Sequence, residues 1–137
     1  KVARRKGRIL AFQALYSYDM GNVNEENVIE FSWVDQAVLD RMGEDGQLFA
    51  RLIVIGTIDN LQEVDQNIKD HLANWSFDRL NKVDLAILRM STYSLLFQKD
   101  IHPSIVIDEA VDIAKEYGSD DAYKFINAVL DSIRKDL

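Results

Sequence analysis

The chain has no cysteine, one proline and six glycines in 137 residues. Without cysteine there is no disulfide, no thiolate nucleophile and no thiolate metal ligand, and a reducing compartment is permitted without being required. So little proline and glycine leaves no room for long irregular segments. Histidine is nearly as scarce, with only His71 and His102, and two residues so far apart do not suggest a zinc set. Both suit ordinary surface or helix-cap roles. No apolar run approaches the roughly 20 residues that span a bilayer, and the charged start, apolar core and small-residue cleavage site of a secretory signal are not seen. A soluble, cytoplasmic protein is the expectation. Glycine-rich phosphate loops are missing, and no serine has a histidine partner arguable from sequence. Glu109 and Asp112, an i, i+3 pair, read as part of a solvated acidic face. No catalysis, cofactor or metal is expected.

What the chain does have is helical periodicity. The stretch Asn81–Phe97, NKVDLAILRMSTYSLLF, is apolar on nearly every side, which places a helix inside the protein. Asn81 is its N-cap, and Asp84 three residues on approximates a capping box. Arg89 in its middle keeps its proton and needs solvent or a carboxylate. Before it come a helix ending near Gly21, a second from Asn24 to Gly43 with Val28, Phe31, Val34, Val38 and Met42 on one apolar stripe, and a third capped by Asp45 with Leu48, Leu52, Ile55 and Ile58 in line. Gly43 and Gly46 bracket the turn between these two. Gly56 allows a close helix approach. Ile68 and Leu72 either extend the third helix or form a short one of their own. Around Asn74–Leu80 a turn or helical bend is expected to bury Trp75 and Phe77. After it, Pro103 opens a helix to Tyr117, and Ser119 caps the last one, with Asp120 and Asp121 in its first turn. The β-branched Ile53–Ile55 run is too short to make a strand. The expectation is one domain over residues 1–137, all-α, with about seven helices.

Charge is the odd feature. The net is −7, yet Lys1, Arg4, Arg5, Lys6 and Arg8 put five cations and no acid into the first eight residues, and without them the balance is −12. Cations at a helix N-terminus oppose the macrodipole, so stability does not favour them there. Two readings are open: a phosphate-binding arm, with Gln13, Tyr16 and Tyr18 offering hydrogen bonds or stacking faces to bases, or a solvated basic end.

RRKGRILAFQALYSYDMG at the start, VDLAILRMSTYSL in the central helix and IVIDEAVDIAKEYGSDDAYKFINAVLD at the end resemble the NusB family of bacterial transcription antitermination factors. The middle, about Val23 to Leu80, matches only in helical character. The resemblance implies two packed helical bundles and no catalysis. It also implies binding of boxA in nascent single-stranded RNA together with the small-subunit ribosomal protein NusE. The pair then joins the RNA polymerase elongation complex with other Nus factors, notably on ribosomal RNA operons. By motif position, Arg4, Arg5, Lys6 and Arg8 would contact phosphates, Gln13 and Tyr16 would line the RNA path, and Asp121, Lys124, Phe125 and Asn127 would lie near it. Leu80, Asp84 and Tyr93 are candidate NusE contacts. Some family members form homodimers, and an apolar helix face reads the same in a core as at such a contact.

Phe125 also falls on the inward stripe of the last helix, as suits core packing, and Asp121 suits a first-turn carboxylate. The chain departs from the family pattern at Lys6, where arginine is usual, at Ala128, where glycine is usual, and at Asp108, a carboxylate able to pair with Arg89. The alternative function is a helical protein-interaction scaffold whose basic arm meets an acidic partner. A fused RNA-cytosine methyltransferase would need a glycine-rich cofactor domain that this sequence does not contain.

Overall fold

Helix α5 (Lys82–Phe97) is the axis on which the other long helices lean: α1 (Val2–Asp19), α3 (Gln36–Asp59), α4 (Leu61–Asp70), α6 (Pro103–Tyr117) and α7 (Ala122–Lys135) all pack against it. The computed structural model describes residues 2–137, with side chains from Arg4 onward; Lys1 lies outside them. Among the described residues there are seven α-helices, a 3-10 turn at Phe77–Arg79 and no strand. The short α2 (Glu25–Glu30) closes against α1 and α3, while α6 and α7 pair closely on the other side of α5. The chain thus forms an N-terminal and a C-terminal helical group sharing one buried helix.

The reason α5 takes this place is its composition. Leu85, Ala86, Ile87, Leu88, Met90 and Leu95 are all buried, on more faces than one neighbour could cover. Its start follows the expected chemistry, with Asn81 Oδ1 accepting from the amides of Val83 at 2.9 Å and Asp84 at 3.2 Å. Arg89 is satisfied by carboxylates from both sides. Its Nε and Nη2 donate to Asp65 at 2.9 Å each, and its Nη1 lies 3.2 Å from Asp19. Asp108 is not its partner, because α4 and the end of α1 bring two other acids to the guanidinium.

Gly56 meets Tyr93 as a close approach requires: a Cβ at Gly56 would lie 2.1 Å from the phenol ring. The expected helix from Asn24 to Gly43 is instead two. Phe31 takes a left-handed backbone (φ 59°) that ends α2, and Asp35 caps α3, its Oδ1 accepting from Ala37 N at 3.0 Å. The turn expected between Gly43 and Gly46 is only a kink in α3 at Gly43 (φ 82°), so Asp45 caps nothing. After the kink, Leu48 and Leu52 at the start of the expected line are exposed, while Ala50, Ile53 and Val54 are buried. Residues 61–70 form their own helix, and Ile68 and Leu72 are buried there.

Two further expectations are corrected. Trp75 is 63% exposed, its ring edge resting on Phe125 with centroids 5.3 Å apart. Ser119 does not cap α7; its Oγ and N donate to Asp84 at 2.7 and 3.2 Å, tying the α6–α7 turn to α5. The N-cap position falls to Asp121, which is left-handed (φ 61°) and makes no side-chain cap. Tyr117 is partly exposed and tilts against the Phe12 ring at 5.3 Å.

Candidate functional site

Helix α1 buries Leu10, Ala11, Ala14 and Leu15 and leaves its first two turns at the rim of the fold, which exposes Arg4, Arg5 and Lys6. The cations do not form one uniform patch. On one side, Lys6 and Gln13 line a groove of about 460 Å³ whose apolar wall includes Trp33, Val34 and Met42 and whose end is Tyr117. Gln13 and Tyr117 also line the next groove along α1, with Tyr16, Ser17 and Val83. The structure therefore brings Lys6, Gln13 and Tyr16 onto one continuous path. On the other side, Arg4 and Arg8 line a separate groove of about 570 Å³ with Asp100, His102, Ile105 and Glu109.

Between the two grooves the arm is fastened to α6. Arg5 Nη2 donates to Glu109 Oε2 at 2.6 Å and to Asp112 Oδ2 at 3.0 Å. Glu109 Oε1 faces Arg8 Nη1 at 3.6 Å. The bonds from Glu109 and Asp112 hold the Arg5 pKa above its usual value, whereas burial, opposed by Glu109, lowers that of Arg8. Both remain charged, since a guanidinium starts far above neutral pH. Arg4 and Arg8 both lie over the Phe49 ring of α3, at 4.9 and 5.1 Å from its centroid. Such cation–π contacts give the arm a fixed footing.

On α7, Lys124 and Asn127 are exposed, and so is Asp121 at the turn before the helix. Phe125 is half-buried, packed against the core and in edge-type contact with Trp75. Lys115 and Lys124 place their ammonium groups 5.1 and 5.9 Å from the Tyr123 ring, so cations and aromatics alternate across the α6–α7 corner. Among the proposed partner contacts, Leu80 and Asp84 are buried in the fold and Asp84 is engaged by Ser119, while Tyr93 is half-buried and stacks on Phe97 at 5.4 Å.

Sequence reasoning missed Phe49, Trp75, Glu109 and Asp112. The two acids, read as a solvated face, are the counter-charges of the arm. The only signal was complementarity: five cations in one segment call for acids somewhere, and the sequence does not say on which helix. No group of three metal-ligating side chains occurs among the described residues, and no described helix is long and apolar enough to cross a membrane.

Residues 5–135 match the profile of the NusB family. The chain is 53% identical to the transcription antitermination protein NusB of Treponema denticola, over 97% of this chain and 96% of that one. It is 48% identical to that of Treponema pallidum, over 98% and 94%. Among solved structures, NusB of T. maritima superposes with a TM-score of 0.78 at 34% identity, covering 96% of this chain and 90% of that one. A chain from a crystal structure of the antitermination factors NusB and NusE in complex with double-stranded RNA superposes at 0.82 and 29% identity, covering 100% and 99%.

Proposed function

The chain belongs to the NusB family, and from that premise we propose that it is a transcription antitermination factor that binds boxA RNA together with NusE. The observation that carries the RNA half is the placement of the arm. In a chain of net charge −7, exposed cations are gathered on the first turns of α1 beside a path lined by Gln13 and Tyr16. Arg4, Arg5 and Lys6 serve as phosphate contacts, Gln13 and Tyr16 as base contacts, and Asp121, Lys124, Phe125 and Asn127 continue the surface on α7; Arg8, expected among the phosphate contacts, is buried and adds charge behind them. Asp121 can only accept from a base or from water, since it repels phosphate. The partner surface uses the half that includes α5, with the half-buried Tyr93 as its candidate; Leu80 and Asp84 are buried within the fold and give up that role. The bound pair joins the RNA polymerase elongation complex with other Nus factors on ribosomal RNA operons, in the cytoplasm, and the protein supplies binding rather than catalysis. Residues 1–137 act as one unit.

The test is binding of a short single-stranded boxA RNA, its scrambled version and its duplex, with and without NusE, to the protein and to an Arg4→Ala/Lys6→Ala variant. Preference for the single-stranded boxA, strengthened by NusE and lost in the variant, is expected. Equal weak binding of all three RNAs would turn the function to a protein-interaction scaffold.

A further inference from the structure

Glu109 and Asp112 occupy the one nitrogen that Arg5 needs most. A guanidinium grips a phosphate through a fork of two neighbouring nitrogens, and bidentate contact is the strong geometry. Nη2 belongs to both forks of the group, and both of its hydrogens are taken, one by each acid. Arg5 as it stands can offer a phosphate only single-nitrogen contacts. Arg8 is held differently: it is 4% exposed, its one carboxylate neighbour sits at 3.6 Å, and its Nη2 is buried with no acceptor. Glu109 is thus divided between two arginines and satisfies the second poorly.

We propose that Glu109 and Asp112 are built-in competitors for RNA phosphate that set the affinity of the arm. Together they hold Arg5 when no RNA is bound, with Glu109 also facing Arg8, and an RNA backbone must displace them to engage the Arg5 fork. A matching and a non-matching RNA meet the same two carboxylates, and the cost of displacing them is the same for both. The acids therefore lower affinity for all RNA and leave sequence preference to the base contacts along Gln13 and Tyr16. This inference rests on the RNA-binding reading above.

Asp112→Asn is the informative change, because Asp112 is exposed and its only described cation is Arg5. Asp108→Asn is the control: it removes the same charge from the same helix at an exposed residue that makes no described ion pair. Binding of single-stranded boxA and scrambled RNA is measured by fluorescence anisotropy across a salt series, with NusE present and absent. Thermal melts confirm that each variant folds. Asp112→Asn is expected to bind both RNAs roughly two- to fivefold tighter at low salt, the size of an exposed ion pair. The scrambled RNA is expected to gain about as much as boxA, and the slope of log affinity against log salt to steepen by about 0.7, one further phosphate on a single strand. Asp108→Asn is expected to gain less and to keep the wild-type slope. Weaker binding by Asp112→Asn would mean that the acids position Arg5, and it overturns the proposal, as do equal gains in the two variants or no change in either. Failure of every protein, wild type included, to bind either RNA with NusE present overturns the RNA-binding reading itself.

Discussion

Arg89 shows how a single charge is made tolerable inside an apolar helix. Its fork is filled by Asp65, a second acid comes from Asp19, and its side chain is only 10% exposed. Burial lowers its pKa most, but the bonds to Asp65 and Asp19 more than offset this and raise it. Removing one partner from such a cluster leaves charge uncompensated, so Arg89→Ala is expected to cost about 3–5 kcal/mol in denaturant unfolding. Arg89→Lys keeps the charge but not the fork and is expected to lose less. At Gly56 the expected sign follows from two opposed terms. Alanine gains about 1 kcal/mol of helix propensity, while its methyl would strike the Tyr93 ring at 2.1 Å and overpacking costs about 1–3 kcal/mol. Net destabilisation with an altered near-UV tyrosine signal is expected; an unchanged spectrum would show that the ring simply swings aside. Both sites were half-legible in the sequence. Arg89 needed an acid and Gly56 suggested a close approach, but the identities of Asp65, Asp19 and Tyr93 depend on which helices meet.

At the scale of elements, two polar ties fix the C-terminal half. Asp84 of α5 accepts from Ser119 before α7, so Ser119→Ala is expected to cost about 0.5–1.5 kcal/mol and to speed amide exchange in the first turn of α7. His71, at the end of α4, donates Nδ1–H to the Asn67 carbonyl at 2.7 Å, and its Nε2 lies 2.6 Å from Asp136 at the end of α7. Burial disfavours its charged form, yet Asn67 and Asp136 together raise its pKa above the usual 6.5. A raised folded-state pKa means that this contribution is fully present below the unfolded value of 6.5 and is lost as pH rises through the higher folded value. The stability gap between wild type and His71→Gln is therefore expected to narrow on going from mildly acidic to alkaline pH. A gap that widens instead would refute the assignment. The sequence pointed to Ser119 as the cap of α7 and to the histidines as surface or cap residues: His71 is the C-cap of α4 and His102 the N-cap of α6, but Ser119 is drawn to Asp84 and leaves Asp121 in a left-handed position. Cap chemistry is local, but the choice among several short polar residues is made by whichever acid the neighbouring helix presents.

For the whole molecule, charge sets the balance between attraction and repulsion for RNA. The arm is cationic, the remaining chain carries −12, and two of its acids, on α6, pair with the arm. Binding by the chain alone is expected to be weak at physiological salt and to fall with a log–log slope of about −0.7 per phosphate engaged. NusE is expected to raise the affinity; a chain that binds as tightly alone as in the pair would contradict this. Arg4→Ala is expected to reduce the slope by one such step and to weaken binding of matching and scrambled RNA alike, the mark of a phosphate contact.

The sequence by itself determined the all-helical class, the burial of α5, the cap at Asn81, the start of α6 at Pro103 and the segregation of positive charge at one end. Each of these follows from spacing and residue chemistry within a dozen positions, where 3.6-residue periodicity and cap preferences act. The tertiary structure decided which side of α3 is buried, that Trp75 stays exposed over Phe125, which acids hold Arg89, and that Glu109 and Asp112 face the arm across more than a hundred residues. Those outcomes depend on a left-handed turn at Phe31, a kink at Gly43 and the meeting of α1 with α6. Pairings between distant side chains are selected by the packing of whole helices, and no local pattern encodes them.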